Sequence, residues 1–363
     1  MTDELMYLHQ SRYFAVTARN LENLAAAEIS AAGAEIIAKH PRGIWFEASP
    51  ATMYRVCYTA RVVSRVLAPL FSFDCENRGC LYRQVFTIPW PELFPITKNF
   101  AVFATVNNST ISHSRYAALC LKDGIVDRFR KDTGNRPDVD PKNPDVRFVL
   151  HIRNDRATIH WDCSGDSLHR RGYRKESGKA PLQETVAAAM IAVAGWDGER
   201  PLSDPMCGSG TILAEALMKY CRIPAGYLRE TFGFETMPDF EEKKWDEVRE
   251  SENDKIRELK PRLISGSDNS SEAIAMAAEN LARLPGGDEI ILKKIPFQDI
   301  DSLDNRTIIT NPPYGIRMKK EQGMESFMRS LGDFLKQRCT GSTAYIYFGN
   351  RTLLKSIGLK TSF

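Results

Sequence analysis

The chain has 363 residues, 43% hydrophobic and 26% charged, with no low-complexity tract; that length suits two or three domains with real cores. Its net charge of +3 divides unevenly: residues 1–180 hold 25 Lys and Arg against 19 Asp and Glu, and residues 181–363 hold 24 against 27. No stretch approaches the roughly 18 apolar residues of a membrane span, and the N-terminus MTDELMYLHQSRYF lacks the apolar core of a signal peptide.

The first half alternates short strands and helices. Tyr13–Ala18 reads as a strand, and Asn20 is placed to cap an Ala-rich helix, Leu21–Ala32, that stops at Gly33. Ala34–Ala38 and Gly43–Glu47 follow as paired strands, Pro50 opens a helix to about Tyr58, and Val62–Phe71 is a strand. Beyond an aromatic-rich segment come a strand, Phe100–Val106, and an amphipathic helix, Ser112–Arg130. Arg147–Ile152 and Arg156–Trp161 then form a hairpin across Asn154-Asp155. The layout is α+β rather than doubly wound.

Residues 163–180, CSGDSLHRRGYRKESGKA, are polar and basic at Arg170, Arg171, Arg174 and Lys175. They read as the linker between halves, either a solvated connector or a segment lining a site. The eight cysteines include no CxxC pair and the six histidines no HExxH spacing, which points to reduced thiols, a cytoplasmic protein and no metal centre.

From Pro181 helices and strands alternate, the pattern of a parallel sheet covered on both faces. Helix Leu182–Val193 leads to a short strand near Pro201–Ser203, and the loop after it opens helix Thr211–Tyr220. A long charged insertion follows, mostly helical over Asp239–Lys260. Strand Leu263–Asp268, helix Ser271–Leu284, strand Ile290–Ile295, strand Thr307–Thr310, helix Met324–Arg338 and strand Ala344–Phe348 complete the series.

The ends of these strands carry the chemistry. Asp204-Pro205-Met206-Cys207-Gly208-Ser209-Gly210 runs from strand into helix with two glycines, so a ligand can approach its backbone closely. It is neither a dinucleotide fingerprint, because residue 213 is Leu213, nor a P-loop, because no Lys follows Gly210. The next strand ends at Asp268, placed to accept from ribose hydroxyls, and the third is followed by Gln298-Asp299, suited to a purine amino group. The fourth ends in Asn311-Pro312-Pro313-Tyr314. Two prolines make a stiff loop whose carbonyls lack partners within the segment. The Asn311 side-chain carbonyl and the Pro312 carbonyl can both accept from an aromatic exocyclic amine, aiming its lone pair outward, while Tyr314 offers a stacking face.

Taken together, DPMCGSGT, the Asp268 and Asp299 tips and NPPYG resemble class I S-adenosylmethionine-dependent methyltransferases acting on amino groups. SGDSLHRRGYR (Ser164–Arg174), APLQETVAAAM (Ala180–Met190) and GYLRETFGFETMPDF (Gly226–Phe240) are similar to one branch, the THUMP-bearing RNA guanine-N2 methyltransferases that modify large-subunit ribosomal RNA. The resemblance implies a ferredoxin-like piece (1–45), a THUMP domain (46–162) and a Rossmann-like methyltransferase domain (163–363, with 163–180 as linker). It implies S-adenosyl-L-methionine as cofactor, with Asp204, Gly208 and Gly210 at the methionine moiety, Asp268 at the ribose and Asp299 at the adenine, and with Pro205, Cys207, Ser209, Asn269 and Gln298 also in the cofactor pocket. Gln183 and Glu184 close the pocket; Asn311, Pro312, Pro313 and Tyr314 are the catalytic set. RNA is the implied partner, met by the N-terminal half and the basic linker. Asn269 stands where a second acidic residue is common, and the closing antiparallel strand usual in such folds does not follow strand Ala344–Phe348 before Phe363. Two other readings use the same residues: an adenine-N6 DNA methyltransferase, and an RNA-binding protein with a vestigial cofactor site.

Overall fold

The computed structural model describes residues 5–175, 181–313 and 321–360. These divide into two compact units, the first of Met1–Arg170 with Arg229–Ser251 and the second of Arg171–Leu228 with Glu252–Phe363.

The first unit contains α1 (Met6–Gln10), β1 (Arg12–Thr17), α2 (Glu22–Ala31), β2 (Glu35–His40), β3 (Gly43–Glu47), α3 (Pro50–Thr59) and β4 (Val63–Asp74). It continues with α4 (Arg78–Thr87), α5 (Trp90–Leu93), β5 (Phe100–Asn107), α6 (Ser114–Thr133), β6 (Val146–Arg153) and β7 (Arg156–Asp162). All seven strands form one sheet in the order β2-β3-β1-β4-β7-β6-β5, so the expected boundary at 45/46 falls inside β3. Only β5 and β6 run parallel; the remaining pairs are antiparallel. Ser49 caps α3 by accepting from Thr52 N at 3.2 Å, with Pro50 in the first turn as the sequence predicts. Asn154 and Asp155 take φ of 51° and 56°, the twist a two-residue hairpin needs.

Two local expectations change, and one unassigned segment gains structure. Asn20 does not cap α2; it sits at φ 70°, and Leu21 precedes the helix with no side-chain cap. The aromatic-rich segment contains α4 and α5, with Asn77 capping α4 through Cys80 N at 3.0 Å. The insertion is helical only over Glu242–Asn253 (α9), and its residues 229–251 belong to the first unit. There Phe234 stacks on Tyr54 with centroids 4.4 Å apart, and Trp245 meets Tyr58 edge-on at 5.2 Å. Arg229 donates to the carbonyls of Ser164, Asp166, Ser167 and Arg170, gathering that turn around one guanidinium.

The second unit holds α7 (Glu184–Val193), β8 (Leu202–Asp204), α8 (Thr211–Tyr220), β9 (Ile264–Asp268), α10 (Ser271–Leu281), β10 (Ile291–Lys294), β11 (Thr307–Thr310), α11 (Glu321–Arg338) and β12 (Thr343–Ile346). Its five strands are parallel, in the order β10-β9-β8-β11-β12. Ile309 packs into a core with Leu202, Leu213, Leu217 and Ile264, while its neighbour Ile308 packs with Met328, Leu331 and Phe334. Alternate residues of a strand point to opposite faces, so both faces of the sheet are covered.

Candidate active site

β8 has β9 on one side and β11 on the other, so the chain's winding reverses at β8 and leaves a crevice beyond the carboxyl ends of β8 and β11. The loop after β8 occupies it. Cys207 N donates to Ser267 O at 2.9 Å, Gly208 N to Asp268 Oδ2 at 3.0 Å, and Gly210 N to Cys207 O at 2.9 Å. Gly208 and Gly210 take φ of 53° and 79°, a region glycine enters without a Cβ penalty. A Cβ at Gly208 would meet nothing within 4 Å, whereas one at Gly210 would press on Ala277 Cβ at 3.1 Å. Gly208 thus faces open space, and Gly210 permits close packing of α8 on α10.

The acidic residues hold this geometry as well as facing it. Asp204 is 2% exposed, and its Oδ1 accepts from Met206 N at 3.1 Å and from Thr310 Oγ1 at 2.7 Å. Burial pushes its carboxyl up to about 7, against the pull of those two hydrogen bonds. Asp268, half-buried, accepts from Gly208 N at Oδ2 and from Ser270 N at Oδ1 (3.0 Å). Asn269 is exposed, as are Gln298 and Asp299 on a 3-10 turn after β10. Pro205 is buried; Cys207 is too, and burial holds its thiol well above the usual range; Ser209 is half-buried.

Asn311 follows β11 directly. Its Oδ1 is buried and has no hydrogen-bond partner among the described residues. Pro312 is buried and Pro313 half-buried; Tyr314 lies outside the described residues. An orphaned buried acceptor costs about 1–3 kcal/mol, and a ligand N–H would relieve it.

Gln183 is exposed just before α7, while Glu184 is 4% exposed with Oε1 3.2 Å from Arg174 Nη2 and Oε2 buried without a partner among the described residues. Burial raises the Glu184 carboxyl, and the Arg174 guanidinium opposes the rise. The basic linker differs from expectation. Arg170 pairs with Asp166 at 2.7 Å, Arg171 with Glu215 at 3.1 Å, Arg174 with Glu184, and Lys175 with Glu279 at 2.6 Å. Arg171 and Tyr173 are each 1% exposed, so this segment is packed rather than a solvated connector. Arg171 and Arg174 are taken up by buried carboxylates, whereas the Arg170 and Lys175 side chains remain 70% and 65% exposed in surface pairs of little strength. Residues 176–180 lie outside the described residues. Sequence reasoning passed over Thr211, which accepts from Arg174, and Asn280, which donates to the loop; an Asn between Ala277 and Leu281 on an otherwise apolar helix face was the available signal. Among the described residues no group of three His, Cys, Asp or Glu is placed to hold a metal, and no helix is long and apolar enough to cross a membrane.

Residues 171–362 match the RMKL-like methyltransferase domain, more than half of the chain. The chain belongs to that family. Ahead of the domain, residues 12–67 match the RlmL ferredoxin-like domain and 77–162 the THUMP domain. A protein of Synechocystis sp., named provisionally as the RNA methyltransferase slr0064, is 38% identical, with 96% of this chain and 91% of that one covered. The ribosomal RNA large subunit methyltransferase K/L of Syntrophotalea carbinolica is 39% identical over 96% of this chain, which spans 50% of that protein's length. A crystal structure from Listeria monocytogenes, described as a predicted N6-adenine-specific DNA methylase, superposes with a TM-score of 0.85 at 26% identity, covering 98% of this chain and 94% of that one. The family's methyl donor is S-adenosyl-L-methionine. The open space at Gly208, the exposed Asp299 carboxylate and the buried Asn311 Oδ1, which has no hydrogen-bond partner among the described residues, are compatible with such a group.

Proposed function

We propose that this chain transfers a methyl group from S-adenosyl-L-methionine to the exocyclic N2 amine of a guanine in large-subunit ribosomal RNA. The observation that carries the reading is the buried Oδ1 of Asn311 at the end of β11, which has no hydrogen-bond partner among the described residues. An aromatic amine is a poor nucleophile because its lone pair is delocalised. Asn311 Oδ1 and the Pro312 carbonyl accept its two N–H bonds, and the adjacent prolines keep that carbonyl fixed, so the nitrogen pyramidalises with its lone pair aimed outward. The bound cofactor supplies an electrophilic methyl on a sulfonium. The amine held by Asn311 and Pro312 would take that methyl, leaving a neutral thioether behind, and would give its extra proton to water; no strong general base is required. Gly208, Ser209 and Gly210, with Asp204, Pro205 and Cys207 beneath them, cradle the methionine end, and Gln183 and Glu184 close it. Asp268 with Asn269 takes the ribose, and Gln298 with Asp299 the adenine. Tyr314 stacks on the target base.

The RNA assignment rests on the THUMP match, on the excess of basic residues before position 180, and on the K/L relatives, which are named for ribosomal RNA. Such a substrate is met in the cytoplasm. A second reading, adenine-N6 methylation of DNA, has the Listeria neighbour's description behind it, and an amine clamp serves both targets. Mass-spectrometric nucleoside analysis of RNA and DNA from cells lacking the protein separates them. Loss of N2-methylguanosine from large-subunit RNA is expected; loss of N6-methyladenine from DNA would favour the second reading, and loss of neither would overturn both.

A further inference from the structure

The loop after β8 is gripped from behind by residues to which no motif assigns a role. Asn280, on α10 and 1% exposed, donates from Nδ2 to Ser209 O at 3.0 Å and accepts at Oδ1 from Lys175 N at 3.0 Å. Gly210 N donates to Cys207 O at 2.9 Å. The peptide unit between Ser209 and Gly210 is therefore pinned at its carbonyl by Asn280 and at its N–H by Cys207. One residue on, Arg174 Nη2 donates to Thr211 Oγ1 at 2.9 Å and to Leu182 O at 2.8 Å. The basic segment thus latches the start of α8 through its side chain at Arg174, and Asn280 through its backbone at Lys175.

A buried amide inside a helix has a cost that an apolar residue at the same place would not, since both ends of the amide must find partners. Here both ends do, and each partner is a backbone group, one in the loop after β8 and one in the basic segment. We infer that Asn280 is a positioning residue for the cofactor: it locks the Ser209–Gly210 peptide plane, and residues 174–175 lock it in turn. The inference rests on the reading that this loop holds S-adenosyl-L-methionine.

Asn280→Asp removes the donor and sets a carboxylate against the Ser209 carbonyl; Thr211→Val removes the acceptor for Arg174 at nearly constant shape. In the full chain, each should raise KM for S-adenosyl-L-methionine, by on the order of tenfold for Asn280→Asp, with kcat at saturating cofactor and KM for RNA unchanged. A fall in kcat with cofactor KM unchanged would overturn the inference. Amide hydrogen exchange at Gly208, Ser209 and Gly210 in the cofactor-free protein supplies a readout independent of turnover, and both variants should accelerate it. Unchanged exchange would refute the latch itself. Faster exchange with normal affinity for S-adenosylhomocysteine would instead refute the reading beneath it, that the loop carries the cofactor.

Discussion

Thr310 Oγ1 donates to Asp204 Oδ1 across 2.7 Å, joining the last residue of β11 to the last residue of β8. The bond ties the strand that delivers Asn311 to the strand that delivers the glycine loop. Asp204 is buried there and its carboxyl is raised from 3.8 to about 7. A group raised in the folded state stabilises it fully below its unfolded pKa, and that contribution is lost as pH climbs through the folded value. Stability should therefore decline between about pH 4 and 7 through this group, and Asp204→Asn should flatten the decline. A cationic sulfonium nearby favours the ionised carboxylate, so cofactor affinity should rise with pH up to about 7 with release of a proton. Calorimetry in buffers of different ionisation heat reads that proton directly; pH-independent binding with no proton released would remove Asp204 from the cofactor site.

Asp268 has two tasks in this geometry, since its Oδ2 holds Gly208 N while the carboxylate faces the proposed ribose position. Asp268→Ala should cost at least about tenfold in cofactor affinity, the equivalent of one hydrogen bond to a charged group at about 1.5–3 kcal/mol. Asp268→Asn keeps an acceptor for Gly208 N and should lose less. Equal losses for the two variants would show that holding the loop contributes nothing.

Much of the site was legible because strand ends punctuate the sequence. DPMCGSG, Asp268 and Asn311-Pro312-Pro313 fall at the ends of β8, β9 and β11, where the glycines and prolines are incompatible with continued strand. The missing parts depend on distant partners. Arg171 and Lys175 look like free cations until Glu215 and Glu279, 44 and 104 positions away, arrive beside them. Helix α4, RGCLYRQVFT, has little intrinsic helical preference; it forms because Asn77 caps it and Leu81 and Val85 are buried, with Val85 against Gly124 of α6. The return of residues 229–251 to the first unit follows from Phe232, Phe234 and Trp245 finding Tyr54 and Tyr58, a pairing no local pattern encodes.

That return has a consequence for fragments. Residues 171–363 expressed alone would expose Phe234, which is fully buried, and Trp245, which is 6% exposed. Such a fragment should associate or aggregate through that surface, and Phe234→Ala in the whole chain should destabilise the first unit by about 3–5 kcal/mol. Size-exclusion chromatography and denaturant unfolding give the answer; a monomeric, soluble fragment would mean that this aromatic cluster is dispensable.

RNA affinity should fall steeply with salt if the first half neutralises phosphates. Arg170 and Lys175, exposed in surface pairs of little strength, can contribute to that slope. Replacing both with alanine should lower the dependence of log affinity on log salt by about one per residue. An unchanged slope would remove the linker from the RNA interface.

Asn311 provides the most direct test of the chemistry. Asn311→Ala removes one of the two acceptors proposed to draw the amine lone pair out of conjugation, and by comparison with other transition-state hydrogen bonds turnover should drop about 10²–10³-fold. Among the described residues Oδ1 has no hydrogen-bond partner, so stability should be kept or slightly improved. Cofactor affinity should change little. Tyr314→Ala should act through lost stacking, roughly 1–3 kcal/mol, with Tyr314→Phe nearly silent. Single-turnover methyl transfer to RNA, with cofactor binding followed in parallel, separates these effects. An Asn311→Ala enzyme that transfers methyl groups at the normal rate would remove the amine clamp and, with it, this account of why β11 ends in Asn311-Pro312-Pro313.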